Sequence, residues 1–267
     1  MQIEGVVDCE VTSTPNHPWF EWEGGRGSAP DDWALHPELL VGSKLRFSFG
    51  GYLLRGGPLQ GRIVLIDCGN GPSGDDFIPP GHMLTDLRAK GVGVSDVTDI
   101  MLTHLHYDHT GWLAVDGEPV FPNATIHLAN ADIEHFTNPH SEGLSAEVTP
   151  ARLRAVDSHL RPFDGTTTLA PGITAIPAPG HTPGSTVFVA SDATSRVVIL
   201  GDVVHCPVQL VDEEWAVLGD VDPELALRTR RNLEREFNGD TLAGAHFPGL
   251  SMGRVIRTDV ARTWTIT

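Results

Sequence analysis

Thr103-His104-Leu105-His106-Tyr107-Asp108-His109-Thr110-Gly111 sets three histidines and an aspartate side by side. A strand-like run, Val97–Thr103 (VTDIMLT), leads into it. His104 and His106 therefore alternate in register, and both rings can project from one side of an extended stretch. The chain must then turn, and Asp108 and His109 fall at the start of the next helix, offset from the first pair. Four nitrogen and oxygen ligands at this spacing exceed what one tetrahedral zinc with an open position can take. The pattern points to two adjacent metals with divided ligands. A chance cluster of surface histidines would need neither the strand before it nor the Thr-Gly turn after it.

Three further segments supply what two metals would still lack. Pro179-Gly180-His181-Thr182-Pro183-Gly184 puts a histidine in a Gly/Pro loop between strands, Leu200-Gly201-Asp202 ends a strand with an acid, and Ala243-Gly244-Ala245-His246 ends another with a histidine. Each alone is weak, since a loop histidine is usually solvated and a strand-end aspartate usually caps. Their joint occurrence carries the argument. Two divalent cations ~3.5–4 Å apart hold a bridging hydroxide at neutral pH and polarise an electrophile's oxygen, so no protein nucleophile is required. The chain has no G-x-S-x-G elbow. The ligand set contains no sulfur, so zinc is the default while manganese, cobalt and iron also fit.

The rest of the chain reads as α/β. Lys44–Arg55 is strand with a bulge or bend at Gly50-Gly51, and Arg62–Asp67 is a buried strand ending in an acid and the turn Cys68-Gly69-Asn70-Gly71. His82–Lys90, Ala131–Phe136 and Thr149–Leu160 have helical periodicity, and Ala124–Leu128, Ile173–Ile176, Thr186–Ala190, Val197–Leu200 and Thr241–Ala245 read as strands. Asp222–Phe237 is the clearest helix, with Asp222 as cap, Pro223 at its first position and Gly239 past its end. No linker or short repeat interrupts this mixture, so one domain over residues 1–267 is expected. Residues 12–43, with Trp19, Phe20, Trp22 and Trp33 between glycines and prolines, read as an irregular segment: a wrapping loop, or a lid or arm.

Lys plus Arg number 18 against 35 Asp plus Glu, a net charge of −17, which disfavours a nucleic-acid or anionic-membrane partner. No apolar run is long enough to span a bilayer. The start, MQIEGVVDCEV, lacks the basic region of a secretory signal, and Cys9, Cys68 and Cys206 form no C-x-x-C pair or disulfide framework. A cytoplasmic location is expected.

The H-x-H-x-D-H segment with His181, Asp202 and His246 downstream resembles the signature of the metallo-β-lactamase-fold metallo-hydrolases, from about Lys44 to Gly249. The resemblance implies an αβ/βα sandwich: two mixed β-sheets face to face, helices on the outer faces, metals at one edge. It implies that His104, His106 and His181 bind the first metal, that Asp108, His109 and His246 bind the second, and that Asp202 bridges them. Asp67 in Ile66-Asp67-Cys68-Gly69 matches the family's acid-x-Gly segment, which supports the histidine loop without ligating. His106 stands where flavodiiron proteins carry a glutamate. The absence of a cysteine ligand and the presence of Asp202 separate the chain from the antibiotic-hydrolysing lactamases.

What remains resembles the N-acyl-homoserine lactonase and methyl parathion hydrolase branch. Lactonases there commonly carry a tyrosine three residues after the bridging aspartate, where this chain has His205. The reading is a dinuclear hydrolase of small uncharged esters, lactones first, with phosphotriesters or aryl esters as the alternative. Asp108 and His205 are the candidate catalytic side chains, and Trp112 and Phe247 the candidate pocket residues. A homodimer is the assembly to test. The rivals are a mononuclear iron dioxygenase of the same fold and a non-catalytic metal-dependent binding protein.

Overall fold

The computed structural model describes residues 1–14, 30–34, 36–74, 77–212, 215, 219–259 and 262–267. Strands β1 (Gln2–Ser13), β2 (Leu40–Val41), β3 (Lys44–Arg55), β4 (Ile63–Ile66) and β5 (Asp99–Met101) open the first sheet. A small ribbon of β6 (Ala114–Val115) and β7 (Glu118–Pro119) follows, and β8 (Thr125–Ala129) and β9 (Leu160–Phe163) complete that sheet. Its order is β1-β3-β4-β5-β8-β9, with β2 on β3. The second sheet runs in sequence order: β10 (Thr167–Ala170), β11 (Ile173–Pro177), β12 (Thr186–Ser191), β13 (Arg196–Ile199), β14 (Thr241–Ala243), β15 (Met252–Arg257) and β16 (Arg262–Ile266). The helices are α1 (Pro30–Trp33), α2 (Met83–Ala89), α3 (Asn130–Thr137), α4 (Leu144–Ala155), α5 (Val208–Val211) and α6 (Pro223–Glu236).

Strand alternation sorts the core into layers. Leu54, Val64, Ile66 and Met101 face inward and meet Ile173, Ala175, Phe188 and Ile199 of the second sheet. Leu53, Leu65, Ile100 and Ile126 face the other way and pack under Met83 and Leu87 of α2, Phe136 of α3 and Leu153 of α4. On the far side, Val187, Val198 and Leu242 are covered by Leu233 of α6, with Phe237 and Trp264. This is the αβ/βα sandwich that the sequence implied. The central strands β4, β5 and β14 are buried on both faces, which is why they read as short apolar runs.

The strands that carry the site are the parallel ones. β4 pairs parallel with β5, and β13 with β14. Their C-terminal ends release the chain toward one edge of the sandwich at Asp67, His104, Asp202 and His246. The loop between β11 and β12 delivers His181 to the same edge.

Several local expectations are corrected. Asp108 and His109 lie in turns, not at the start of a helix. The backbone there is committed to the Cys68–Asn70 loop: Cys68 N–H donates to His109 O (2.8 Å), Gly111 N–H to Gly69 O (2.8 Å) and Trp112 N–H to Cys68 O (3.0 Å). The two loops touch so closely that a Cβ on Gly111 would sit 2.0 Å from the Asn70 carbonyl carbon. The bulge expected in Lys44–Arg55 occurs on the partner strand, where the β1 register shifts between Val7 and Cys9. The helix expected over Thr149–Leu160 starts earlier, at Leu144, because Ser145 Oγ accepts from Tyr107 N–H and Thr149 Oγ1 donates to Leu105 O. Leu160 opens β9 instead. Trp33 is fully buried, its ring edge-on to Trp215 at 4.6 Å, which fits the wrapping-loop reading at that end of the segment. Trp19, Phe20 and Trp22 lie outside the described residues.

The residue at the β1 bulge is Asp8, and its buried carboxylate knits this edge together. It accepts from Asn70 N–H (2.7 Å), Gly71 N–H (3.0 Å), Met83 N–H (2.8 Å) and Trp112 Nε1–H (2.8 Å). Replacing it with alanine leaves four buried donors without that acceptor. Asp8→Ala is expected to cost about 3 kcal/mol, read as a lowered urea midpoint at unchanged slope. A loss below about 1 kcal/mol would show that these donors find other acceptors.

Candidate metal centre

The two ligand sets assemble as separate groups. His104, His106, His181 and Asp202 present one atom each within 4.8 Å of one another, and so do Asp108, His109 and His246. His106 Nδ1 lies 2.9 Å from both His104 Nε2 and His181 Nε2. Asp202 stands between the groups: its Oδ2 is 3.2 Å from His246 Nε2 and 3.6 Å from His181 Nε2, and its Oδ1 is 3.3 Å from His109 Nε2. All seven residues that the sequence singled out as ligands thus meet at one point.

The outward nitrogens fix the tautomers. Thr103 Oγ1 donates its only proton to Asp67 Oδ2 (2.8 Å), so it accepts from His104 Nδ1–H (3.1 Å). His109 Nδ1–H donates to Asp67 Oδ2 (2.9 Å), His246 Nδ1–H to Ser48 O (3.0 Å) and His181 Nδ1–H to Asp220 Oδ1 (3.0 Å). The Nε2 atoms of these four rings therefore turn inward as the ligating nitrogens, as metal-bound imidazoles require. Asp67, held in a left-handed backbone conformation, also accepts from Thr103 N–H and so braces the start of the histidine loop.

A further carboxylate, Asp132 at the start of α3, joins the loops that carry the first set. Its Oδ2 accepts from Leu105 N–H (3.0 Å) and Thr182 Oγ1–H (3.0 Å), and its Oδ1 from Gly184 N–H (2.6 Å). A Cβ on Gly184 would meet the Asp132 backbone nitrogen at 2.6 Å, so this approach needs glycine. Arg152 of α4 donates to Tyr107 O (2.6 Å) and holds the other end of the motif. Asp132, Asp220 and Ser48 carry no sequence motif. The only hint was the final glycine of the His181 loop.

Donor chemistry and electrostatics both fit a pair of divalent cations. His106 Nδ1 has at most one proton to share between His104 Nε2 and His181 Nε2, each 2.9 Å away, and the buried His109 Nε2 and Asp202 Oδ1 make no hydrogen bond. An imidazole–carboxylate pocket with such orphaned acceptors suits zinc or another first-row ion at ~2.0–2.2 Å from each ligand. Burial, with the neighbouring imidazole of His109 beside His104 and that of His181 beside His106, pushes both rings well below the usual histidine range. For His109 and His246 burial also pushes down, but Asp202 and Asp108 outweigh it and hold them above that range. Burial would raise Asp202, yet the surrounding imidazoles, His246 first, hold it well below the usual carboxylate range.

The centre opens on a cleft of about 460 Å³. Phe47, Phe49, Phe136, Leu144 and Val221 form its apolar wall, and His106, Asp108, His181, Asp202, His205 and His246 its metal-side edge. Among the described lining residues there is no lysine or arginine, and Glu142 adds a carboxylate. Trp112 and Phe247, expected to line the pocket, do not. Trp112 is drawn into the core by its bond to Asp8, and Phe247 is fully buried with its ring edge-on to Trp264 at 5.2 Å. His205 does reach the cleft. Its Nε2 is 3.2 Å from Asp202 Oδ2, and its buried Nδ1 makes no hydrogen bond.

The comparisons with known proteins agree with this geometry. The model of the "Metallo-beta-lactamase superfamily" matches residues 52–246. The N-acyl homoserine lactonase AiiA of Bacillus thuringiensis subsp. kurstaki is 26% identical over 149 residues, covering 55% of this chain and 54% of AiiA, so the match spans about half the length of that relative. Among solved structures, AidC, described as a dizinc quorum-quenching lactonase in complex with a product, superposes with a TM-score of 0.82 at 22% identity, covering 98% of this chain and 93% of AidC. The hydrolase AbOPH superposes with a TM-score of 0.81 at 24% identity, covering 98% and 93%. At these identities the structural likenesses speak for the fold.

In the metal-free protein the carboxylates of Asp202 and Asp108 favour the protonated forms of His109 and His246, holding both rings above the usual histidine range. Metal binding must displace those protons, so affinity should rise with pH until both are lost. Calorimetric titration of zinc into metal-free protein at pH 7, in buffers of different ionisation enthalpy, is expected to report a net release of protons. A buffer-independent enthalpy would show that both rings enter the reaction already neutral.

Proposed function

The chain belongs to the metallo-beta-lactamase superfamily, and on that footing we propose that it is a dinuclear metal-dependent hydrolase of small uncharged esters, lactones first. The observation that carries the reading is the union of two complete ligand sets with an apolar cleft free of cationic side chains among its described lining residues. Two divalent cations, when bound, supply an acidified water and a Lewis acid for the substrate's carbonyl oxygen.

The chain's own residues do the rest. His104, His106 and His181 hold the first cation, Asp108, His109 and His246 the second, and Asp202 spans both, in keeping with its position between the groups. Phe47, Phe49 and Phe136 offer apolar surface to an acyl or alkyl group and keep water away from the ester. His205 is half-buried at the cleft edge, and desolvation holds its ring below the usual histidine range. A neutral imidazole there can donate one hydrogen bond to a developing oxyanion or leaving group. Asp108, which lines the cleft, would take up the proton that the attacking water loses. Substrates with fixed negative charge would find no lysine or arginine among the described lining side chains and would meet Glu142.

Phosphotriesters share the neutrality and the need for an activated water, so they stand second. His205, where the resembling lactonases carry tyrosine, is the feature that favours them. The decisive experiment is metal analysis coupled to a panel of homoserine lactones, aryl esters, phosphotriesters and β-lactams. Two metals per chain with kcat/KM highest on neutral lactones is the expected result. Turnover of none of them by metal-replete protein would favour a binding function, and one iron per chain with oxygen uptake would favour a dioxygenase.

The ligand assignment has its own test. His246→Ala is expected to lower the metal count toward one, while Asp202→Ala, which removes the shared carboxylate, should deplete both sites and lower Tm. Full occupancy in either variant would remove that residue from the ligand set. His205→Ala should lower kcat by about 10²–10³-fold with little change in KM if the ring donates in the transition state. An unchanged kcat would make it a packing residue.

A further inference from the structure

The outer partners of the histidines differ in kind. His104 and His246 lean on neutral oxygens, Thr103 Oγ1 and Ser48 O, whereas His109 and His181 lean on carboxylates, Asp67 and Asp220. Each ligand set therefore has one carboxylate-backed imidazole. Asp67 belongs to the motif that the family resemblance supplies. Asp220 belongs to no motif.

Asp220 is itself held by charge. Its Oδ2 lies 3.7 Å from Arg230 Nη2, and both side chains are buried, at 5% and 8% exposure. Arg230 Nε–H donates to Val203 O (2.9 Å), the carbonyl next in sequence to Asp202. One guanidinium thus touches the support of His181 and the loop of the shared aspartate. The rest of α6 is fitted to the same task. Thr229 Oγ1 donates to Pro179 O (2.7 Å), and Gly180 packs so tightly that a Cβ there would lie 2.3 Å from Ala226 Cα. Val221 N–H and Asp222 N–H donate to His181 O and Gly180 O before Asp222 caps the helix through Leu225 N–H.

We propose that the Asp220–Arg230 pair positions His181 and sets the affinity of the first metal site, as Asp67 does for His109 at the second. The inference rests on the dinuclear reading above. A carboxylate on Nδ1–H fixes the ring's rotation and makes its Nε2 a stronger base, which a neutral acceptor does less well. An unpaired carboxylate buried here would be costly, and Arg230 offsets that cost while locking the Asp202 loop to the same helix. Both residues act through His181, so they are positioning residues, and their effect belongs to metal binding before it belongs to turnover.

The test isolates the first site in a His246→Ala background and measures zinc affinity by chelator competition, with visible absorption of the cobalt(II)-loaded form as a second readout. Asp220→Ala is expected to weaken that site about 10–100-fold and to shift the cobalt bands. Asp220→Asn, which keeps an acceptor and loses the charge, should fall between, and Arg230→Lys should recover most of the affinity that Arg230→Met loses. Circular dichroism and Tm check that each variant is folded, and the Asn variant carries the test if the Ala variant is not. Unchanged affinity and an unchanged cobalt spectrum in folded Asp220→Ala or Asp220→Asn protein would overturn the proposal. Fewer than two metals in the otherwise unaltered protein would instead overturn the dinuclear reading.

Discussion

Two imidazole nitrogens with their outward partners already engaged, His104 Nε2 and His181 Nε2, both lie 2.9 Å from His106 Nδ1. The single proton of His106 Nδ1 can satisfy only one of them, so lone pairs crowd this space unless something positive lies there. That constraint organises this edge of the molecule. The fold has to drive His104, His106, His181 and Asp202 into a space that they would leave if free, and it does so from two sheets at once. Thr186 N–H on Thr103 O (2.8 Å) ties the sheets at the level of the motif, and Asp132 ties the histidine loop to the His181 loop. The metal centre is where the two halves of the sandwich are held to a common geometry.

Buried carboxylates do most of that holding. Asp8, Asp67, Asp132 and Asp220 each accept from loop amides, hydroxyls or imidazoles around the ligands, with exposures between 0% and 5%. A neutral acceptor could satisfy one or two donors. An ionised carboxylate satisfies up to four and makes each bond stronger. Loops without regular structure need such anchors, because their backbone groups have no ladder partners and cannot be left buried and unpaired. The irregular segments at this edge are therefore as well determined as the strands that release them.

The fold was legible where strands were short, apolar and ended in chemistry. The β4, β5, β13 and β14 runs and the ligands just beyond them could be read because a short apolar run and metal-ligand spacing are both local patterns. What supports the ligands could not. Asp132 lies in an ordinary helix start and Asp220 two residues before a helix cap, and only tertiary packing brings them to His181 and its loop. Trp112 and Phe247 misled for the same reason. An aromatic beside a motif can face either way, and here the indole found a buried acceptor in Asp8 while Phe247 found Trp264. Beside Tyr107 of the motif, the cleft took its phenylalanines from β3 and α3, distant in sequence from the ligands they border. Asp108 and His109, expected at a helix start, were captured in turns by backbone bonds to a loop whose approach the sequence does not announce.

On the proposed reading, charge distribution would put selectivity in the cleft and not in the metal centre. Two dications against the carboxylates of Asp108 and Asp202 leave an excess of positive charge at the bottom, which attracts any anion regardless of its shape. Around it lies a chain with a net charge of −17 and a cleft whose described charged lining away from the ligands is Glu142. Long-range repulsion and the lack of a lysine or arginine among the described lining residues would act together against an anionic substrate, while the apolar wall of Phe47, Phe49 and Phe136 would compensate a neutral one for losing water. The metals would thus favour reaction at any polarised ester or phosphoryl oxygen, while the mouth admits the uncharged ones. Changing substrate class would then require a new cation near Glu142 or Leu144, with the ligands left as they are.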